Sequence, residues 1–197
     1  MADTEDVHLN EVNDDILDKN TIKSVSKNKL AYVLLFLNLL FIIGLFVFLV
    51  ISFVKINLSK ETENLMEKNA ELVTLFFKDG YEYKNFDKVL TYMSDNYYDH
   101  SPASARSNKD AVNILKSVTK IFTNVTVEML DLTCEKDMVA ARIWFNVTHI
   151  GDYNGIPPTG KNICWEALEN FKVVNGKIVE SWGYWPDNQI EDKLKGD

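Results

Sequence analysis

Between Leu30 and Val54 the chain carries no charged side chain, and its only clearly polar members are Asn38 and Ser52. Wound as an α-helix, the run spans roughly 37 Å at ~1.5 Å per residue, enough to cross a hydrocarbon core of about 30 Å with some tilt. Inside lipid its backbone satisfies its own N–H and C=O groups only as a helix. A core helix of a water-soluble domain would show polar residues at helical spacing, and this run has almost none. A cleaved signal peptide has a shorter apolar part, begins nearer the N-terminus and ends on small residues. The run therefore reads as a transmembrane helix over residues 30–54, and the expectation is a single-pass membrane protein with the lipid bilayer as a partner.

The flanks bear on orientation. Lys19, Lys23, Lys27 and Lys29 precede the run, and Lys55, Lys60 and Lys68 follow it. The small excess before the span favours a cytoplasmic N-terminus and a non-cytoplasmic C-terminal domain. Sequons at Asn57, Asn124 and Asn146 fit that side, although about that many arise by chance in a chain rich in Asn, Ser and Thr. Residues 1–29 hold Asp3, Glu5, Asp6, Glu11, Asp14, Asp15 and Asp18 ahead of those lysines, with few large hydrophobes, so an unstructured acidic tail is expected.

Charge and composition exclude several functions. The 197 residues carry a net charge of −8, and no basic patch with interleaved aromatics occurs, which argues against nucleic acid as a partner. His8, His100 and His149 are scattered, and Cys134 and Cys164 have no metal-ligand spacing, so no metal site is expected. Two cysteines leave a disulfide undecided.

After a linker at 55–68 that begins the first helix of the soluble part, residues 69–187 are expected to form one compact domain, with 188–197 a C-terminal tail. A helix from near Glu61 to Asp79 carries Leu65, Leu72 and Phe76 in one stripe, flanked by Met66, Val73 and Phe77, with Gly80 placed to end it. A short helix starts at Asn85, and Tyr97 to Ser101 reads as a strand ending at Pro102. A third helix begins after Ser107, whose hydroxyl can cap it. Four β candidates follow: Thr126–Cys134, Met138–Ile150, Lys161–Val174 and Lys177–Trp185. Asn175-Gly176 predicts a tight hairpin, and Glu135-Lys136-Asp137 a turn. Helices first and an antiparallel meander after give an α+β fold with helices on one face of a curved sheet.

Period-two alternation then points to chemistry. One face of the second long strand is Val139, Ala141, Ile143, Phe145, Val147 and His149; one face of the third is Ile163, Trp165, Ala167, Glu169, Phe171 and Val173. Apolar faces should look toward the helices, which makes His149 and Glu169 the polar members of otherwise apolar surfaces. A buried carboxyl resists ionisation and can serve as a proton donor or general acid/base. Equally, Glu169 could bond a neighbouring Tyr or Trp, and His149 could lie exposed at the strand end. The loop Thr148–Gly160, THIGDYNGIPPTG, joins the two strands and is punctuated by Gly and Pro, as functional loops on rigid scaffolds often are.

A set of short motifs, taken in order, resembles the SnoaL-like polyketide (ester) cyclases of the nuclear-transport-factor-2-like superfamily. They are Tyr98-Asp99-His100-Ser101-Pro102, Thr148-His149-Ile150-Gly151, Gly155-Ile156-Pro157-Pro158-Thr159-Gly160, Glu169-Asn170-Phe171-Lys172, Asn175-Gly176-Lys177-Ile178 and Glu180-Ser181-Trp182. The resemblance covers Asn69 to Asp187. It implies a cone-shaped α+β barrel with about three helices closing a curved sheet over a pocket, often dimeric and working without a cofactor. It also implies that Glu169 is an acid/base or oxyanion donor, with His100 or Asp99 its partner and His149 orienting the substrate. Tyr98, Phe145, Trp165, Trp182 and Tyr184 would line the pocket. Many relatives have Asp where this chain has Glu169, and His where it has Ser181.

Two readings follow. One is a membrane-anchored, cofactor-free cyclase or isomerase acting on a small apolar carbonyl or ester compound. The other is a non-catalytic module of the same fold that binds a small apolar ligand or forms a homodimer.

Overall fold

A computed structural model describes the side chains of residues 27–196. Close contacts divide the chain into two units, Met1–Leu58 and Ser59–Asp197. The first helix, α1 (Asp3–Phe77), contributes to both. In the first unit its most apolar window has a mean hydropathy of 3.1 and none of it is buried. By length and composition it is one helix able to cross a membrane.

The expected tail at 1–29 lies largely outside the described side chains, and α1 is given from Asp3, where no regular structure was expected. The linker expected at 55–68 is helical throughout.

In the second unit α1 buries Val73, Phe76 and Phe77, while Leu65 is exposed, so the apolar stripe is shorter than the sequence suggests. The chain then makes a π-helical turn, Lys78–Glu82, in place of a glycine cap. Next come α2 (Phe86–Tyr92), β1 (Met93–Asp99) and α3 (Asn108–Ile121), followed by the strands β2 (Phe122–Glu135), β3 (Met138–His149), β4 (Asn162–Val174) and β5 (Lys177–Tyr184). Ser107 caps α3 as expected, its Oγ accepting the Asp110 N–H at 3.1 Å. The last element, α4 (Asp187–Lys195), corrects the expected tail at 188–197. Its Ile190 and Leu194, one helical turn apart, are buried and hold it to the domain.

The fold is α+β, with one five-stranded curved sheet in the order β1-β5-β4-β3-β2. The β2 to β5 meander is antiparallel, and β1 adds parallel to β5 at the far edge. Asn175 and Gly176 both have positive φ, 52° and 70°, as a type I′ hairpin requires. β3 and β4 pair without a register shift, so Val139, Ile143, Phe145 and Val147 meet Phe171, Ala167, Trp165 and Ile163 on one inner face, all buried. Phe76 and Phe77 pack on that face edge-on to Phe171, with ring centroids 5.7 and 5.6 Å away.

β5 behaves differently. Val173 pairs with Ile178 but Lys172 pairs with Glu180, so Val179 is an extra residue in the ladder. Such a bulge exchanges the two faces of the strand beyond it. Ser181 and Gly183 therefore turn inward with Ile178, and Trp182 and Tyr184 turn outward.

Candidate functional site

A cavity of about 270 Å³ opens beside the inner face of the sheet. Glu169, Gly183, Tyr81 and Trp185 form part of its wall. Ile114, Val118 and Ile121 of α3 add an aliphatic side, and Phe122, Tyr153 and Asp187 contribute further lining. Ser101, Pro102 and Ala103, from the connection after β1, also line it.

Glu169 reaches this wall because of its register. It stands between Ala141 on β3 and Gly183 on β5. Its side chain lies across the glycine: a Cβ at 183 would be 2.8 Å from Glu169 Cδ and 2.9 Å from Cγ. The missing side chain at 183 is what gives the carboxyl its place. Burial, the negative charge of Asp99 and, in the opposite sense, the Ser181 hydroxyl set its proton affinity, and the net effect pushes Glu169 up to about 8. At neutral pH this carboxyl carries its proton.

Tyr81 sits in the π-helical turn and is buried. Burial first, then the charges of Glu169, Tyr97 and Asp99, raise its phenol well above the usual range, so it remains a donor. Its hydroxyl makes no hydrogen bond to another described residue. The cavity wall thus holds two protonated oxygen acids, Glu169 and Tyr81.

Asp99 is buried in a network of its own. It accepts the Ser101 N–H at 2.8 Å and the Ser101 hydroxyl at 2.6 Å, and the Ser181 hydroxyl reaches it at 3.3 Å. The Tyr97 hydroxyl meets Ser181 Oγ at 2.5 Å. These donors hold the short turn at Ser101 against β5, and Asp99 does not line the cavity.

His100 is turned to the outer face. Its Nε2 is 2.9 Å from Glu180 Oε2, and its ring stacks on Trp182 with centroids 4.5 Å apart and planes at 8°. Tyr98 lies on the same side under the Arg106 guanidinium, 4.0 Å from the ring centroid. The expected placements of Tyr98, Trp182 and Tyr184 in the pocket wall are therefore corrected: all three face outward, the last two because of the bulge at Val179. Phe145 and Trp165 face inward but lie behind the wall, stacked on each other at 5.3 Å and packed against Trp185 at 5.3 and 5.1 Å.

His149 is fully buried and does not line the cavity. Its Nδ1 accepts the Thr159 N–H at 3.2 Å, and Thr159 Oγ1 lies 3.0 Å from the same nitrogen. Its carbonyl accepts the Gly160 N–H at 3.0 Å. Burial holds the imidazole below its ordinary value, opposed by the Gly151 backbone and Asp152. His149 thus closes the base of the long loop. Immediately after His149 the N–H groups of Ile150 and Gly151 both donate to Ile121 O. A Cβ on Gly151 would sit 2.5 Å from Lys120 O, so the close approach to α3 requires glycine. Fixed this way, the loop presents Tyr153 to the cavity, and the Tyr153 hydroxyl donates to Asp187 Oδ1 at 2.7 Å.

Tyr81, Phe122, Tyr153, Trp185 and Asp187 line the cavity although nothing in the sequence marks them as cavity residues. Tyr153 stands inside the loop that the reading singled out. Trp185 would have followed from β5 had the bulge been visible. Tyr81 carries no periodic signal, since it lies in a π-helical turn, whereas Phe122 continues the apolar spacing of Ala111, Ile114, Leu115 and Val118 and reads as helix core, although it begins β2. Two buried nitrogens, His149 Nε2 and Trp165 Nε1, find no hydrogen-bond partner among the described residues, and both rings lie against Phe122, at 5.7 and 5.5 Å.

The family model described as SnoaL-like polyketide cyclase matches residues 71–193. No curated protein sequence matches the chain. Among solved structures, AclR of Streptomyces galilaeus is 24% identical with a TM-score of 0.60, covering 67% of this chain and 98% of its own. IdmH of Streptomyces antibioticus is 19% identical with a TM-score of 0.58, covering 66% and 99%. A SnoaL-like polyketide cyclase of Agrobacterium tumefaciens is 17% identical with a TM-score of 0.56, covering 64% and 97%. At these identities the structures establish a shared fold.

Proposed function

The chain belongs to the SnoaL-like polyketide cyclase family, and on that footing we propose that it is a membrane-anchored, cofactor-free acid–base catalyst of cyclisation or isomerisation, acting on a small apolar carbonyl or ester compound. One observation carries the reading: a carboxyl that keeps its proton at neutral pH, Glu169, lies in a cavity wall with the unpartnered hydroxyl of Tyr81. A neutral carboxylic acid donates a hydrogen bond where a carboxylate would repel. In its ionised fraction near neutral pH, Glu169 takes the α-proton of a carbonyl compound while the Tyr81 hydroxyl donates to the oxygen on which negative charge develops, and the carboxyl then returns the proton. A proton affinity near 8 also lets Glu169 give and regain a proton close to neutral pH. The apolar side made by Ile114, Val118 and Ile121 would exclude water and pack against an apolar part of the substrate.

The test is hydrogen–deuterium exchange at the α-carbon of a panel of enolisable ketones and β-keto esters, followed by NMR with the full chain in detergent. Accelerated exchange that is lost in Glu169→Gln supports the proposal; binding without accelerated exchange defeats it.

The enclosure of Asp99 favours a second reading. A two-carboxylate mechanism would want that group free, and here Ser101 and Ser181 occupy it. On this reading the domain binds a small apolar molecule without turnover, or pairs with a second copy through the outer sheet face, where Leu168 and Tyr184 are cross-strand neighbours and both exposed.

Anchoring by 30–54 would keep the cavity near compounds that partition into the bilayer, with the second unit on the non-cytoplasmic side. Asn124 and Asn146 are both exposed. A mobility shift of the full chain on glycosidase treatment supports that side, and its absence in a glycosylating host counts against it.

A further inference from the structure

We propose that the ligand of this cavity carries a positively charged nitrogen, held between aromatic walls and the carboxylate of Asp187. The inference rests on the reading of the cavity as a ligand site and names the class of ligand. Among the described residues no lysine, arginine or histidine lines the cavity, whereas two carboxyl groups, Glu169 and Asp187, do. Four aromatic side chains share the lining. They form two tilted pairs: Tyr81 with Trp185 at 6.1 Å and 40°, and Phe122 with Tyr153 at 5.5 Å and 51°. Ring faces carry the negative part of the aromatic quadrupole, and their attraction for an ammonium group grows when the site is partly dry.

Asp187 supplies the formal charge. It is exposed, and one oxygen accepts the Tyr153 hydroxyl, while the other makes no hydrogen bond to a described residue. An anionic ligand would meet this charge unscreened by any cationic lining residue. A purely hydrocarbon ligand would gain no more from four rings than from aliphatic walls of equal area. Glu169 and Tyr81, both protonated, are donors and suit a carbonyl oxygen on the same ligand. The ligand class is therefore a carbonyl or ester compound bearing a quaternary or protonated amine.

The test compares acetylcholine with 3,3-dimethylbutyl acetate, the same shape with a neutral carbon in place of nitrogen. Binding of each to the full chain in a non-ionic detergent is measured by calorimetry. Acetylcholine is expected to bind about fivefold to thirtyfold more tightly, the range a desolvated cation–π contact gives. Asp187→Asn should remove most of that preference. Tyr153→Phe, which frees the carboxylate from its donor, should keep or raise it. Because Asp187 also lies in the first turn of α4, Trp185→Leu serves as a second variant that keeps the wall apolar; it should lower the preference about threefold. Equal binding of the two esters, or tighter binding of the neutral one, overturns the proposal and leaves the acid–base reading intact. Binding of neither overturns it too, and if Glu169-dependent exchange is also absent the acid–base reading falls with it.

Discussion

Replacing Glu169 with Gln should make the second unit more stable, and increasingly so as the pH rises. The carboxyl's proton affinity is near 4.5 in an ordinary setting and about 8 in the fold. A folded value above the unfolded one means that the folded chain binds the proton more tightly. Its contribution to stability is then whole below about 4.5 and is lost as the pH climbs to about 8. Taken at full value, ~1.4 kcal/mol per pH unit gives on the order of 5 kcal/mol. The carboxyl retains some contact with the open cavity, where water screens it, so about 2–4 kcal/mol is the working magnitude. Gln keeps the shape and does not titrate.

Urea unfolding of the full chain at pH 5, 6.5 and 8.5, followed by tryptophan fluorescence, measures the effect. All four tryptophans, Trp144, Trp165, Trp182 and Trp185, lie in the second unit and report on it alone. The stability of the variant relative to the natural chain should rise by about 2–4 kcal/mol from pH 5 to 8.5, or roughly 5–15 °C in Tm for a domain of this size. Parallel pH profiles for the two proteins would refute the claim that the fold holds this carboxyl protonated.

Further consequences concern the neighbours of that carboxyl. Gly183→Ala places a methyl 2.8 Å from Glu169 Cδ; it should cost about 1–3 kcal/mol, and the cost should largely vanish in a Glu169→Ala background, as a double-mutant unfolding cycle would show. Tyr81→Phe removes a donor and keeps the ring, so on the acid–base reading turnover or α-proton exchange should fall about a hundredfold. His100→Ala should leave the same rate within about twofold, because its contact with Glu180 is solvent-accessible on the other side of the sheet. Gly151→Ala collides with the Lys120 carbonyl at 2.5 Å; a loss of about 2 kcal/mol or more is expected in thermal unfolding, with the loop at Tyr153 displaced.

The amino-acid sequence alone determined the elements whose physics is local. An uncharged run from Leu30 to Val54 has one stable form in lipid. Asn175-Gly176 demands positive φ at two successive residues, and Ser107 supplies its own cap. The inner faces of β3 and β4 were legible because their ladder runs without a shift, so alternation along each strand equals alternation in space. Glu169 was found for that reason. What alternation could not reveal is where a ladder slips. The bulge at Val179 exists only in the pairing of β5 with β4, and it alone decides that Gly183 makes room for Glu169 while Trp182 and Tyr184 leave the pocket. The roles of Asp99 and His149 were likewise tertiary. The motif sequence names a carboxylate and an imidazole, but whether each is free depends on the partners the fold supplies: Ser101 and, from β5, Ser181 for Asp99, and Thr159 for His149. Tyr81 and Asp187, from a π-helical turn and a helix start, meet Glu169 at one cavity only once the sheet has closed against the helices.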